Sequence, residues 1–264
     1  MLKRNLKDIV SVALLVAAAV VLIIFDFVDI TYTADEIADG LINEIIPRAV
    51  TGVIITAIIA LIGERSVLLP NLKRVPRDIL WCLPCFLVVL ANFPFTALIG
   101  GTAEVARVDL IWLLIIKCLL VGLMEESLFR GLLLPVIGGY FKGKKYSSIL
   151  TVAVTSAIFG LFHLLNLFAG AGIGATLMQV GYSFLIGAML SAVLLKTGNL
   201  WLCVLIHAAF NIGGDLVPVL GSGTFQDLGF WIFTAAAGVI CTAYILYYLI
   251  KKDRSQIENG SQTE

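Results

Sequence analysis

The chain has 264 residues with 18 basic and 18 acidic side chains, so it has no net charge; it is 60% hydrophobic and only 14% charged. Soluble domains contain about 25% charged residues, and this composition therefore excludes an ordinary soluble domain. The balanced charge also excludes the basic surface that nucleic-acid-binding proteins need. The five cysteines are an odd number and lie mostly in apolar runs, which does not indicate a disulfide framework.

Eight apolar segments follow one another along the chain, at about 9–25, 49–62, 79–99, 110–134, 148–168, 177–195, 200–220 and 230–250. Runs of this length and hydrophobicity are typical of membrane-crossing helices. They predict an all-α, polytopic membrane bundle of about eight transmembrane helices. The first segment lacks the small-residue cleavage site of a signal peptide, so we expect it to be retained as a span.

The stretch before the second span is acidic and contains an amphipathic repeat. Apolar residues recur every four positions between Ile37 and Ile46, just ahead of Pro47. This spacing predicts an interfacial helix. The second span is short, and part of this helix is available to extend it.

Basic residues cluster at the N-terminus, after the second, fourth and sixth spans, and at the C-terminus. The loops after the first and seventh spans are acidic. The positive-inside rule therefore predicts that both termini lie in the cytoplasm, with a prokaryotic cell membrane as the expected location. The polar tail from Ser255 is predicted to be disordered.

The fourth span contains three ionisable residues, Glu125, Glu126 and Arg130. A charge inside a bilayer costs about 2.5–3.5 kcal/mol or more, so such residues indicate a functional site. Glu126 and Arg130 are four residues apart and share a helix face, which predicts an ion pair. Glu125 is rotated by about 100° from Glu126 and has no local cation. A carboxylate in such a pocket suits a general base.

Two other spans carry the chain's two histidines. Phe159 and His163 share a face of the fifth span, with Asn166 close to it, and His207 and Asn211 share a face of the seventh. Histidine and asparagine side chains donate hydrogen bonds that can stabilise an oxyanion. A base, a second group that orients water and a pair of donors together fit the attack of water on an amide carbonyl.

Each of these residues also has a structural interpretation. Intramembrane His and Asn side chains often hydrogen-bond between helices, and this is the favoured interpretation of Asn166. Lys117 is interpreted as a structural partner or a charge that reaches a loop or lipid, and Asp215 as a water-facing residue near the outer end of its span. The Cys82-x-x-Cys85 pattern lacks the βαβ context of a thioredoxin-like site, so buried structural cysteines are favoured.

The motifs Glu125-Glu126-x-x-x-Arg130, Phe159-x-x-x-His163 and His207-x-x-x-Asn211 occur in this order on separate spans. Together they resemble the three motifs of the CPBP intramembrane proteases, a family that includes the type II CAAX prenyl endopeptidases and the bacteriocin-processing or immunity proteins. The resemblance covers roughly Lys117 to Gly213. It implies an all-helical membrane bundle with a conical cavity that opens to the cytosol and the membrane.

The resemblance also implies a role for each motif residue. Glu125 would activate the water and His163 would help to position it, while His207 and Asn211 would stabilise the oxyanion. The residues that would support this site are Glu126 and Arg130. The resemblance points to a mechanism without a metal or cofactor.

The predicted function is an intramembrane endopeptidase of the glutamic type, acting near the cytoplasmic face of the lipid bilayer. Its partner would be a membrane-associated peptide or protein, with prenylated CAAX-type and precursor peptides as candidates and no nucleic acid. The chain would divide into spans one to three with the interfacial helix (1–107), a catalytic core (108–220), and the last span with a cytoplasmic tail (221–264).

Three alternatives remain open on the sequence. One is a bacteriocin-immunity or membrane scaffold protein that binds a peptide without cleaving it, although no motif residue has been lost. Another is a proton-coupled transporter, although the chain has no evident internal repeat. The third is a zinc protease with ligands from Glu125, His163 and His207, although no His-Glu-x-x-His motif is present.

Overall fold

The computed structural model describes residues 2–26, 28, 30–61 and 65–260. In chain order, the helices are α1 (Leu2–Asp26), α2 (Glu36–Leu61), α3 (Val75–Trp81), α4 (Leu83–Ala91), α5 (Phe95–Gly100), α6 (Ile111–Glu126), α7 (Leu134–Phe141), α8 (Ser147–Phe162), α9 (Ile173–Thr197), α10 (Leu200–Leu220) and α11 (Leu228–Gly260). Two short strands, β1 (Ala103–Val105) and β2 (Gly221–Gly223), pair antiparallel. The prediction of an all-α polytopic membrane bundle is confirmed.

Six helical stretches among the described residues are long and apolar enough to cross a membrane: Glu36–Leu61, Leu83–Gly100, Ser147–Leu167, Ile173–Thr197, Leu200–Leu220 and Leu228–Gln256. They coincide with six of the predicted spans. The first and fourth predicted spans fall on α1 and on the interrupted helix from α6 to α7. The count of eight therefore stays a prediction. Ile62, the predicted end of the second span, lies outside the described residues.

The predicted interfacial helix and the second span form one helix, α2, with Pro47 inside it. Ala38 and Leu41 are buried in a cluster with apolar residues of α6 and α10. The amphipathic stripe therefore faces protein, and it does not form a separate interfacial helix. A proline removes one helical hydrogen bond, but packing on both sides of Pro47 keeps α2 continuous.

The fourth predicted span changes its helix type in the middle. Ser127–Leu133 form a π-helical segment between α6 and α7, and all its residues are buried. The segment begins directly after Glu126. Short π-helical insertions are rare and occur frequently at functional sites.

Glycines allow the helices in the centre of the bundle to approach closely. A Cβ atom on Gly160 of α8 would lie 2.8 Å from the carbonyl oxygen of Val180 in α9, and one on Gly122 of α6 would lie 3.0 Å from that of Val204 in α10. Small residues at helix crossings are a common feature of membrane bundles. These crossings bring α6, α8, α9 and α10 around one space.

The last helix, α11, continues to Gly260, so the tail that was predicted to be disordered from Ser255 begins as helix. Residues 261–264 lie outside the described residues. The Asp253 carboxylate is buried and accepts hydrogen bonds from the backbone N–H groups of Ser148 (2.8 Å) and Ile149 (3.2 Å). Asp253 thus caps the first turn of α8, and this anchor explains why the helix extends beyond the apolar run.

Candidate active site

Glu126 and Arg130 form an ion pair on one side of the bundle centre. Both side chains are fully buried, and Arg130 Nη1 donates to Glu126 Oε1 at 2.9 Å. Arg130 Nη2 also donates to the carbonyl oxygen of Gly187 at 3.2 Å, and the guanidinium lies 4.3 Å from the ring centroid of Phe159. The α9 backbone and the Phe159 ring therefore hold the cation that faces Glu126.

His207 lies between the two adjacent glutamates. Its Nδ1 is 2.7 Å from Glu126 Oε1, and its Nε2 is 3.7 Å from Glu125 Oε2. Glu126 Oε1 also accepts a hydrogen bond from Arg130, which favours the carboxylate form of Glu126, with His207 Nδ1–H as the donor. This arrangement leaves the Nε2 edge of the imidazole to face Glu125.

Glu125 has different surroundings from Glu126. Its side chain is 13% exposed, and it lines a cavity that Glu126 does not line. Within the described part of the chain, Glu125 Oε2 is a buried oxygen without a hydrogen-bond partner. The carboxylate therefore lies at the cavity wall with one oxygen turned inward toward His207 of α10.

His163 begins the 3-10 segment His163–Leu167 at the end of α8. Its Nδ1 lies 3.0 Å from the carbonyl oxygen of Phe159. A carbonyl only accepts, so Nδ1 carries a hydrogen and donates it to this oxygen. The ring Nε2 lies 3.5 Å from Ser183 Oγ of α9. The Phe159 carbonyl and Ser183 together orient the His163 ring at the cavity wall.

Asn211 lies one turn beyond His207 on α10 and also lines the cavity. Its side chain makes no hydrogen bond to another residue of the described ranges, whereas Asn166 donates to Gln179 at 2.8 Å. The structural interpretation of Asn166 as a partner between helices therefore agrees with its contact. Asn211 keeps its amide group for a molecule in the cavity.

The cavity has a volume of about 450 Å³ and brings together Glu125, His163, His207 and Asn211. Drug-sized ligand sites have volumes of about 300–1,000 Å³, so a short peptide segment can enter. Sequence reasoning did not find three further lining residues, Gln179, Tyr182 and Ser183. They recur at i, i+3 and i+4 on α9, and polar residues at this spacing in an apolar span were the available signal.

A charged cluster lies at the entrance to the cavity. Lys117 Nζ is 3.1 Å from Asp215 Oδ2 and 3.3 Å from Glu44 Oε2, and Glu44 also pairs with Arg48 at 3.5 Å. Lys117 is only 7% exposed. It is a structural partner that joins α2, α6 and α10, and it does not reach a loop or lipid. Asp215 pairs with this lysine, which corrects the interpretation of Asp215 as simply water-facing.

The Cys82-x-x-Cys85 motif lies in the interior of the bundle. All five cysteines are free and buried, including Cys82 and Cys85. Among the described residues, no group of three or more His, Cys, Asp or Glu side chains is arranged to hold a metal ion.

Residues 107–213 match the family model described as type II CAAX prenyl endopeptidase Rce1-like. This segment holds all three sequence motifs and four of the helices around the cavity. The match supports the CPBP and CAAX protease family as the one that this segment resembles. The resemblance predicted from the motifs is therefore confirmed, and the family indicates a membrane protease that hydrolyses peptide bonds. No curated protein and no solved structure matches the chain.

Proposed function

We propose that this CAAX protease relative is an intramembrane endopeptidase of the glutamic type, with Glu125 as the general base. The observation that carries the proposal is the convergence of Glu125, His163, His207 and Asn211 on one cavity. Glu125 supplies a carboxylate that, among the described residues, has one oxygen without a hydrogen-bond partner. The other three residues supply hydrogen-bonding groups of the types that water activation and oxyanion stabilisation need.

The first step is the attack of water on the scissile carbonyl carbon. Glu125 takes one proton from the water as the new C–O bond forms, and the carbonyl π electrons move onto the oxygen. His163 Nε2 accepts a hydrogen bond from the same water and so orients it, because its Nδ1 hydrogen is occupied by the Phe159 carbonyl.

The second step is the collapse of the tetrahedral intermediate. The electron pair on the oxyanion re-forms the C=O bond, the C–N bond breaks, and the protonated Glu125 returns its proton to the leaving amine. The products are a carboxylic acid and an amine, and Glu125 is regenerated as a carboxylate.

The oxyanion is held by the Nδ2–H of Asn211 and the Nε2–H of His207. His207 carries this hydrogen as an imidazolium ion, with Nδ1–H donated to the Glu126 carboxylate at 2.7 Å. The buried set then contains four charged groups and has no net charge. The groups are the Glu125 and Glu126 carboxylates, the His207 imidazolium and the Arg130 guanidinium. Such compensation reduces the cost of placing ionised groups inside a membrane.

The decisive experiment compares the membrane proteome of cells that contain the intact protein with that of cells that contain Glu125→Gln. Loss of the base should reduce cleavage by about 10² or more, with the folded protein retained at the same level. Peptide ends that occur only with the intact protein would identify the substrate. Wild-type processing by a folded Glu125→Gln protein would reject the proposal and favour a scaffold or transporter.

A further inference from the structure

The two ends of the bundle differ in charge, and we define them by their residues. The acidic end comprises 30–48, 100–117, 166–179 and 215–228. Arg107 pairs with Asp35 at 2.6 Å, and β1 pairs with β2. Asn166 and Gln179 line the same cavity as Glu44 and Asp215. These segments therefore lie together at one end of the helices.

The basic end comprises 66–78, 141–148, 196–201 and 250–260. Its parts are also in contact, since Asp253 caps α8, Ser147 Oγ donates to Gln256 at 3.2 Å and Trp201 Nε1 donates to the Leu68 carbonyl at 2.9 Å. Each long helix from α8 to α11 runs between the two ends. The assignment of segments to ends thus rests on contacts and not on the predicted count of spans.

Lysine and arginine are distributed very unequally between the ends. The basic end carries Lys73, Arg74 and Arg77, three lysines in 142–145, Lys196, and three basic residues in 251–254. Apart from Lys117, the acidic end carries only Arg48 and Arg107. Both of these arginines are paired, and their partners are Glu44 and Asp35.

The cavity opens at the acidic end. Its entrance residues Glu44, Lys117, Asn166, Gln179 and Asp215 all belong to that end. The site is thus reached from the acidic end.

Cytoplasmic loops of membrane proteins carry the excess of lysine and arginine. We propose that the Glu125 cavity opens to the non-cytoplasmic side of the membrane and receives peptide segments that are presented from that side. The family resemblance implies a cavity that opens to the cytosol, whereas the charge pattern predicts cytoplasmic termini. In this structure the two predictions exclude each other, and the charge distribution favours the cytoplasmic termini. The substrate part of this inference rests on the proposed endopeptidase function.

The orientation can be tested with cysteine labelling, because all five native cysteines are buried. Ala169→Cys places a thiol at an exposed position on the cavity entrance, and Lys144→Cys places one at an exposed position of the basic end. In intact cells, a membrane-impermeant maleimide should label Ala169→Cys and not Lys144→Cys. After permeabilisation both variants should react equally, which also shows that both thiols are present and accessible.

The reverse pattern in intact cells, or equal labelling of the two variants before permeabilisation, would overturn the proposed orientation. The labelling does not depend on catalysis, so it stands apart from the Glu125→Gln comparison. The Glu125-dependent cleavage sites provide the second measurement. They should lie in non-cytoplasmic segments of their substrates, and cleavage confined to cytoplasmic segments would reject the substrate class while leaving the endopeptidase proposal intact.

Discussion

Glu125 and Glu126 are neighbours in sequence but have separate tasks because α6 turns them in different directions. Glu125 points to the cavity, whereas Glu126 is fully buried and bonds to both Arg130 and His207. One carboxylate thus lies at the cavity wall, and the other is held by the Arg130 guanidinium and the His207 imidazole. The proposed mechanism needs this difference.

Glu126→Gln should destabilise the protein much more than Glu125→Gln. It removes the negative charge that faces Arg130, which is fully buried, and an uncompensated buried charge costs about 3–5 kcal/mol. Glu125→Gln is the matched control, since Glu125 lies at the cavity and has no ion pair as short. Thermal unfolding of the two purified variants in one detergent measures the difference. Equal stabilities would contradict the structural role of Glu126.

A double variant separates charge from shape at this position. If the cost of Glu126→Gln comes from the unpaired guanidinium, adding Arg130→Met should recover part of the lost stability. A further loss of stability in the double variant would instead assign the effect to packing.

His207→Ala and Asn211→Ala should each reduce kcat by about 10²–10³, equivalent to roughly 2.7–4 kcal/mol, with little change in peptide affinity. Donors to an oxyanion act on charge that develops only in the transition state. Asn166→Ala is the control, because Asn166 bonds to Gln179 and not to the proposed oxyanion. Single-turnover cleavage and peptide affinity decide the outcome together. A collapse of affinity with a normal rate on bound peptide would place the pair on a binding surface.

The sequence could predict contacts within a helix but not those between helices. The Glu126–Arg130 pair follows from a spacing of four residues and is present at 2.9 Å. The 2.7 Å contact of His207 with Glu126 joins residues 81 positions apart. It depends on how α6 crosses α10, so it required the structure. The same reason explains why Ser183 and Gln179 were missed.

At the scale of the helices, the glycine contacts set how closely the helices around the cavity approach, and the π-helical segment changes the helix geometry after Glu126. A π turn contains an extra residue, so the residues after it are rotated relative to a regular α-helix. Hydrophobic periodicity does not reveal this change, because every residue from Ser127 to Leu133 is buried. The hydrophobic periodicity of α2 predicted which face of the helix is buried. It did not predict that the helix continues through Pro47, because this depends on tertiary packing.

Gly160→Ala tests the close contact of α8 with α9. The added methyl group would lie 2.8 Å from the Val180 carbonyl oxygen, and overpacking of this kind costs about 1–3 kcal/mol. Because Gly160 lies between Phe159 and His163, cleavage should fall together with stability. Gly181→Ala in α9 is the matched control, since nothing lies within 4 Å of its Cβ position. The prediction fails if the two alanine variants unfold at the same temperature.

At the scale of the whole molecule, the Lys117 cluster connects three helices at the acidic end. The Glu44 and Asp215 carboxylates are both close to Lys117 Nζ and lie on different helices. The sequence placed these residues in three separate segments and offered no means of pairing them. Near this cluster, two hydrogen bonds from Arg107 lower the pKa of Asp35 to about 2, so this contact remains ionised over the physiological pH range.

Lys117→Met should destabilise the protein by about 1–3 kcal/mol, because it leaves two carboxylates close together without their cation. The expected cost is below that of a fully buried pair, since the side chains of Glu44 and Asp215 are 41% and 35% exposed. Lys73→Met is the control, as Lys73 is exposed at the basic end. Detergent unfolding curves of the two variants should separate clearly, and a Lys117→Met curve that overlays the control would contradict the role of the cluster.

The pairing of β1 with β2 has a consequence for how this protein can be rearranged. Ala106 N and Arg107 N also donate to the Leu220 carbonyl oxygen, at 2.9 and 2.8 Å, so the polypeptide from 107 to 220 starts and finishes at one point. The division of the chain into an N-terminal part, a core and a C-terminal part stays a prediction, but this closure gives it a physical basis. A segment whose ends meet is suited to circular permutation and to transfer between different flanking sequences. The helices of this segment can therefore be connected in a different order while the residues around the cavity keep their arrangement.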